Sequence, residues 1–259
     1  MALRDTDAAL RFRILGRVTA TRGPERLHCG GPKQRALLAV LLLNANRPVS
    51  MSRLADLIWW EAEPKSAAAN LRTYVAGLRQ AIGGERILAR PGAYEIRVLP
   101  GEFDAHDFAE LVARGRAALA AGSLDLGVDA LGRALALWDG RAGEDVPRAF
   151  ALDNLFTILD EERLAVFEDW ASALIAVGQT ALAVPALRRF LSEHPYRERA
   201  WRHLMEARYR CGDAAGAIAT FQRVRAVLLD QLGLEPGVEL VELHRAILRR
   251  DPLVPAGAR

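Results

Sequence analysis

The sequence predicts a mainly α-helical protein with a small β component, divided into two domains over residues 1–100 and 101–259. Its 259 residues compare with about 150 for a typical domain. Strand-like alternation is confined to residues 1–100, whereas helical periodicity takes over from Asp104. The charge changes as well: residues 1–100 hold 14 arginines and 2 lysines against 8 acids, net +8, and the remainder holds 19 arginines against 24 acids, net −5. We therefore expect the two domains to meet different partners, the first of them a polyanion.

Short strands are predicted at the start of the chain. Leu10, Phe12 and Ile14 alternate with Arg11 and Arg13, which is the period of two expected when one face of a strand is buried. Turns are predicted where glycine and proline cluster, at Gly16, Gly23-Pro24 and Gly30-Gly31-Pro32.

Two helices are predicted next. The first begins at about Pro32, whose fixed φ suits a first helical turn, and ends near Asn44. Its leucines recur at helical spacing, which indicates burial along one broad side. The second helix runs from Met51 to Trp60, and the Ser50 hydroxyl is placed to cap its first turn.

A third helix, over residues 66–82, is predicted to have two contrasting faces. Its inward stripe consists of Leu71, Val75, Leu78 and Ile82, which fall in one narrow sector of the helix. No acid occurs within the helix. The other side carries small and polar residues with cations at its margin: Ser66, Ala69, Asn70, Arg72, Thr73, Ala76, Arg79 and Gln80. Small residues permit close approach to another surface, and arginine reaches phosphates or guanine edges, so this face fits DNA.

A β-hairpin closes the first domain. Ile87 and Leu88 lead into the turn RPGA at 90–93, after which Tyr94 and Ile96 alternate on the way out. Strands, three helices and a terminal hairpin make a winged helix-turn-helix domain. In such a domain the third helix enters the major groove, and the hairpin contacts the flanking backbone or minor groove.

The candidate DNA contacts differ in the role expected of each. Arg72 and Thr73 are the first choices for base edges or adjacent phosphates, and Asn70 and Gln80 come second. Arg79 either contacts DNA or braces the helix against an acidic neighbour. The candidates for phosphate contacts, each of which is otherwise an ordinary surface cation, are Lys33, Arg35 and Arg90.

The second domain is predicted to be all α-helical. Gly122, Gly178 and Gly212 each separate two helices of a pair, and Gly178 and Gly212 lie 34 residues apart, which is the tetratricopeptide repeat length. A tetratricopeptide-like stack of this kind ordinarily recognises a protein segment. The predicted helices cover residues 105–121, 124–138, 149–177, 180–193, 196–211, 214–232 and 237–249.

Catalysis and membrane insertion are not indicated. The five histidines are scattered, two cysteines occur, and no common metal, nucleophile or phosphate-loop motif is present, so we expect no enzyme, cofactor or metal site. The longest apolar run has eight residues, Ala36 to Leu43, against about 20 for a membrane span. Asp5 and Asp7 do not fit a secretory signal, so a cytoplasmic, nucleoid-associated protein is expected.

The first domain resembles the DNA-binding domain of the Streptomyces antibiotic regulatory protein family, which is similar to that of OmpR-type response regulators. Two positions depart from the family pattern: Trp60 follows the usual helix-two tryptophan, and Ala93 replaces a usual glycine in the wing turn. The matching segments are FRILG at 12–16, KQRALLAVLLLNANRPVS at 33–50, RLADLIW at 53–59, NLRTYVAGLRQAIG at 70–83 and RPGAY at 90–94.

The second domain resembles the bacterial transcriptional activator domain that follows the winged helix in short, two-domain members of the same family. The most similar stretch is LLDQLGLEPG at 228–237, in which the glycines and proline are expected to shape a turn between helices. The other matching segments are VDALGRALALWDG at 128–140, EERLAVFEDWASALIAVGQ at 161–179, HPYRERAWRHLMEARYRCGD at 194–213 and ELVELHRAIL at 239–248.

The resemblance implies a sequence-specific transcriptional activator of a secondary-metabolite, or antibiotic, biosynthetic gene cluster. It implies a homodimer on promoter direct repeats and recruitment of RNA polymerase holoenzyme near its sigma subunit. Two alternatives stay open. One is a helical-repeat adaptor whose basic domain only docks proteins, and the other is a repressor that uses the same DNA-binding domain.

Overall fold

A computed structural model of the protein describes residues 9–59, 64–147 and 150–251, and it confirms the predicted fold class. Trp60, the first departure from the family pattern, lies outside these residues. The N-terminal elements are β1 (Leu10–Arg13), β2 (Thr19–Arg22), β3 (Glu25–Leu27), α1 (Pro32–Leu43), β4 (Val49–Ser50), α2 (Met51–Ile58), α3 (Ala67–Ile82), β5 (Ile87–Arg90) and β6 (Ala93–Ile96).

Two small antiparallel sheets flank the N-terminal helices. The first has the order β1-β2-β3, with Leu10 opposite Arg22, and Leu10 and Phe12 are buried in β1 as the alternation predicts. The second has the order β4-β6-β5, with Ser50 opposite Ala93 and Arg90 opposite Ala93 on its other side.

Helix α1 is the central helix of this part of the chain. Every residue from Ala36 to Leu42 is buried, so the prediction of burial along one broad side is wrong. The reason is that α1 packs against α2, α3 and β6 at once, which leaves it no solvent face over two turns. An almost continuous apolar run is the sequence that such a position requires.

Helices α2 and α3 form as predicted, apart from the end of α2. The Ser50 hydroxyl accepts a hydrogen bond from Arg53 N at 3.2 Å, which confirms the cap, and α2 ends at Ile58 with Trp59 following it. The four residues of the predicted inward stripe of α3 are all buried, namely Leu71, Val75, Leu78 and Ile82.

Seven helices make up the rest of the described chain, close to their predicted bounds. Gly122, Gly178 and Gly212 have φ of +76°, +80° and +82°, a left-handed conformation that suits glycine and ends one helix before its partner begins. The helices are α4 (Asp104–Ala120), α5 (Leu124–Leu135), α6 (Phe150–Ala176), α7 (Thr180–Glu193), α8 (Glu198–Arg210), α9 (Ala214–Leu232) and α10 (Val238–Arg249).

The described part of the chain divides into two compact units. Of the described residues, those within 9–111 and 133–163 form one unit, and those within 112–132 and 164–251 form the other. Within the first unit, Asp104 accepts hydrogen bonds from Ile14 N and Leu15 N, and Asp145 accepts one from Val18 N at 2.8 Å. These bonds tie the segment that follows α5, and the start of α4, to the strands.

The second unit contains a buried histidine that makes its stability depend on pH. His203 is 1% exposed, and burial, together with Arg202 and Arg199, lowers its pKa to about 3. The unfolded chain therefore takes up a proton on this imidazole below about pH 6.5, whereas the folded chain does not until about pH 3. The stability from neutral His203 is fully present above pH 6.5 and is lost as the pH falls below it.

We expect the free energy of opening of α8 to fall by about 2 kcal/mol between pH 7 and pH 5 because of His203. Hydrogen exchange of the α8 amides, corrected for the intrinsic effect of pH, measures this change. His203→Gln removes most of the difference between the two pH values. An equal pH dependence in wild type and variant would refute the assignment.

Candidate nucleic-acid interface

The outer face of α3 is the part of the first unit best suited to a nucleic acid. We define this face by Ser66, just before the helix, and five residues within it, all of which are exposed. The stretch from 66 to 82 contains no acid. The five helical residues are Ala69, Arg72, Thr73, Ala76 and Gln80.

Arg72 and Thr73 are directed to solvent at the middle of this face. Within the described part of the chain, the Arg72 guanidinium takes part in no hydrogen bond or ion pair, so all five of its N–H donors are available. The Thr73 hydroxyl donates to Ala69 O at 3.1 Å, which leaves its oxygen free to accept from outside.

Asn70 and Gln80 lie toward the two ends of the same helix. Asn70 is half-buried, and its Nδ2 donates to Ser66 Oγ at 3.3 Å, so the amide is partly committed to the first turn. Gln80 is exposed near the last turn. Both residues remain secondary candidates for DNA contact.

Arg79 holds the wing strand rather than an acid. Its Nε and Nη2 both donate to Ile87 O, at 2.9 and 2.7 Å, and the side chain is half-buried. The predicted acidic neighbour is therefore replaced by a backbone carbonyl of β5. The bond fixes the start of the hairpin to α3, which gives Arg79 a positioning role.

Lys33, at the start of α1, lies beside an aromatic pair that joins the end of α2 to α3. Its Nζ is 5.5 Å from the centroid of the Trp59 ring, which stacks on Tyr74 with centroids 6.1 Å apart. Gln34 Nε2 also donates to Tyr74 O at 3.3 Å. Lys33 is exposed, so its ammonium lies next to α3 with N–H donors available to a ligand.

Arg35 is a correction to the predicted set. Its Nη1 donates to Gly30 O at 2.7 Å and its Nη2 to Asp145 O at 3.0 Å, and its Nε is 2.9 Å from Asp145 Oδ2. A guanidinium engaged on three sides within the protein has a structural role, so we remove Arg35 from the phosphate contacts. Asp145 is 110 residues away in the sequence, so no local sequence pattern predicts this pair.

The hairpin has a two-residue turn, Pro91-Gly92, with Gly92 at φ +65°. Ala93 is the first residue of β6, so the positive φ is taken by Gly92, and the departure from the family pattern leaves the turn intact. Arg90 Nε donates to Glu95 Oε2 at 2.8 Å across the hairpin, and this bond raises the pKa of Arg90. The other donors of Arg90 are exposed at the approach to the tip.

Arg53 was not predicted and belongs with these cations. Met51 N donates to Gly92 O at 2.9 Å, which places the first turn of α2 against the wing turn. Arg53, two residues further on, is exposed, and its guanidinium has no ion pair among the residues described. In the sequence, the signal that could have identified Arg53 was its position just after Ser50, the residue that caps α2.

No three histidine, cysteine, aspartate or glutamate side chains in the described ranges are grouped so as to hold a metal ion. Among the same residues, no helix combines the length and the apolar character needed to cross a membrane.

The fold and this face define a winged helix-turn-helix regulator joined to a helical-repeat unit, and family models agree. Residues 27–92 match the model described as "Transcriptional regulatory protein, C terminal". Residues 103–248 match the model described as "Bacterial transcriptional activator domain".

Curated relatives extend the match over most of the chain. Regulatory protein AfsR of Streptomyces griseus is 40% identical over 246 residues, covering 95% of this chain and 25% of AfsR. Regulatory protein DnrI of Streptomyces peucetius is 32% identical over 231 residues, covering 85% of each chain. The solved structure of Mycobacterium tuberculosis EmbR in complex with a low-affinity phosphopeptide has a TM-score of 0.91 at 31% identity, covering 96% of this chain and 67% of EmbR.

The chain belongs to the Streptomyces antibiotic regulatory protein family of transcriptional regulators, which confirms the predicted resemblance. It spans only a quarter of the length of AfsR, whereas it matches DnrI over most of both chains.

Proposed function

We propose that this chain is a transcriptional activator that recognises a specific duplex DNA sequence with the outer face of α3. The observation that carries the proposal is the exposed, acid-free face with Arg72 unengaged beside Thr73. Arginine at such a position forms paired hydrogen bonds with a guanine edge or contacts a phosphate, and the neighbouring alanines let the helix enter the major groove.

The candidate contacts divide into base-reading and phosphate-binding groups. We assign base edges to Arg72 and Thr73, with Asn70 and Gln80 as secondary contacts. Arg79 holds the wing in place through Ile87 O. The side chains assigned to phosphates are Lys33, Arg53 and Arg90, which lie at the start of α1, at the start of α2 and beside the wing turn.

The broader part of the proposal concerns the assembly on a promoter. We propose two protomers on direct repeats, with the helical unit supporting contact between protomers and recruiting RNA polymerase holoenzyme near its sigma subunit. The target genes would form a secondary-metabolite, or antibiotic, biosynthetic cluster. The description of the matched second domain as a transcriptional activator supports activation over repression.

A salt titration of DNA affinity tests the electrostatic part of the proposal. Because each neutralised phosphate releases counterions, the logarithm of affinity is expected to fall linearly with the logarithm of salt. Lys33→Ala is expected to reduce the magnitude of that slope by about 1 per protomer and to weaken binding similarly on all sequences. Arg245→Ala, which removes an exposed cation from α10, is the matched control and leaves the slope unchanged.

Affinity that does not respond to salt would contradict phosphate contact as the main source of binding. Failure to shift any duplex at low salt would instead favour the adaptor alternative. Transcription in vitro from a promoter that carries the mapped site distinguishes activation from repression. We expect the protein to increase the amount of transcript, whereas a decrease would identify a repressor.

A further inference from the structure

The helical unit contains a groove that has a basic rim although the second half of the chain is acidic overall. Helices α7, α8 and α9 enclose a concave space of about 750 Å³. None of the residues that line it is acidic, whereas four of them are arginines. The arginines are Arg188 and Arg189 from α7, Arg208 from α8 and Arg223 from α9.

The arginines of this groove are available to a ligand to different degrees. Arg188 and Arg223 are exposed, and neither has an ion pair among the described residues. Arg189 is 3.9 Å from Glu193 in an exposed pair of the kind that contributes little. Arg208 donates from Nη1 to Gly216 O at 2.8 Å, and its buried Nε has no hydrogen-bond acceptor in the part of the chain described.

The floor of the groove is apolar. Trp201 lies at its base, 4% exposed, with its Nε1 already bonded to Pro195 O at 2.8 Å, so the indole offers no donor, and Pro185 and Val227 add less buried apolar surface. Leu204, one turn further along α8, continues the floor. A ligand that fits both surfaces must therefore combine apolar groups with several negative charges.

We propose that this groove binds an acidic peptide segment of a partner protein, in which carboxylates pair with Arg188, Arg208 and Arg223 and an apolar side chain packs on the apolar floor. Clusters of arginine recognise acidic motifs in this way because the guanidinium forms paired, charge-assisted hydrogen bonds with carboxylates. Duplex DNA fits less well, because its phosphates would reach the rim arginines but leave the apolar floor uncovered. The proposal does not depend on DNA binding by the first unit.

Fluorescence anisotropy of the whole chain with a labelled synthetic peptide, DDLDDFDLDD, tests the proposal. We expect saturable binding that weakens with salt, and about tenfold weaker binding to Arg188→Glu and to Arg223→Glu. Arg245→Glu, which makes the same change of charge on an exposed face of α10, is the matched control and binds as wild type does. The amide peptide NNLNNFNLNN is expected to bind at least about tenfold more weakly.

Three results would overturn the proposal. The first is no saturable binding of the acidic peptide. The second is an equal effect of the groove variants and Arg245→Glu, which would show that only net charge matters. The third is displacement of the bound peptide by a random-sequence duplex, together with an equal loss of affinity for peptide and duplex in Arg188→Glu. That result would assign the groove to nucleic acid.

Discussion

Replacing Arg72 by glutamate is expected to weaken binding of the specific duplex by at least about 100-fold. The change removes a contact worth about 1 to 3 kcal/mol and places a negative charge against the DNA. Because Arg72 is exposed and makes no hydrogen bond or ion pair to the described residues, its replacement leaves the packing of α3 unchanged. Affinity is measured by anisotropy with a labelled operator duplex, and circular dichroism checks the fold.

Two further variants separate the causes of this loss. Arg245→Glu makes the same change of net charge at an exposed residue of α10 and is expected to bind the operator nearly as wild type does. Arg72→Lys keeps the charge but loses the planar, paired donors, so it should retain non-specific affinity and lose base preference. Equal binding by Arg72→Glu and Arg245→Glu would remove Arg72 from the interface.

Leu78→Ala is expected to lower the free energy of opening of the first unit by about 3 kcal/mol. Leu78 is fully buried in the inward stripe of α3, and truncating a buried leucine loses apolar contacts and leaves a cavity. Since the chain has two compact units, hydrogen exchange of the α3 amides is a better measure than one global unfolding curve. The exchange rates should rise by about 100-fold.

Gln80→Ala is the control for this measurement. Gln80 lies on the exposed side of the same helix, two residues along, and its truncation should change stability by no more than about 0.5 kcal/mol. An effect of Leu78→Ala as small as that of Gln80→Ala would contradict the orientation of α3.

The features that sequence alone predicted are those with a local physical cause. The inward stripe of α3 follows from helical periodicity, the wing turn from Pro91-Gly92, and the cap of α2 from Ser50. The helix bounds of the second half were accurate for the same reason, since Gly122, Gly178 and Gly212 have positive φ just after the helices that they end.

The features that it missed depend on residues far apart in the chain. Burial of α1 on all sides results from packing against three other elements, and the engagement of Arg35 requires Asp145. The bonds that Asp104 and Asp145 accept from the strands likewise join residues far apart in the chain. The local sequence pattern predicts none of these contacts.

The candidate site shows the same division. The exposure of Arg72 and Thr73 follows directly from the position of the buried stripe on one helix. In contrast, the bond from Arg79 to Ile87 O and the placement of Arg53 near the wing turn depend on how α3, β5 and α2 pack together. Sequence patterns therefore predict which face of α3 is exposed to a ligand, but not which cations from other elements surround that face.

Selection of bound duplexes from a random-sequence library, performed with wild type, Arg72→Ala and Arg245→Ala, tests the role of the α3 outer face most directly. Wild type and Arg245→Ala are expected to enrich the same short motif, present twice in one orientation. Arg72→Ala should lose preference at a particular base position within that motif. No enrichment by wild type, or an identical motif from all three proteins, would contradict the assignment of DNA recognition to this face.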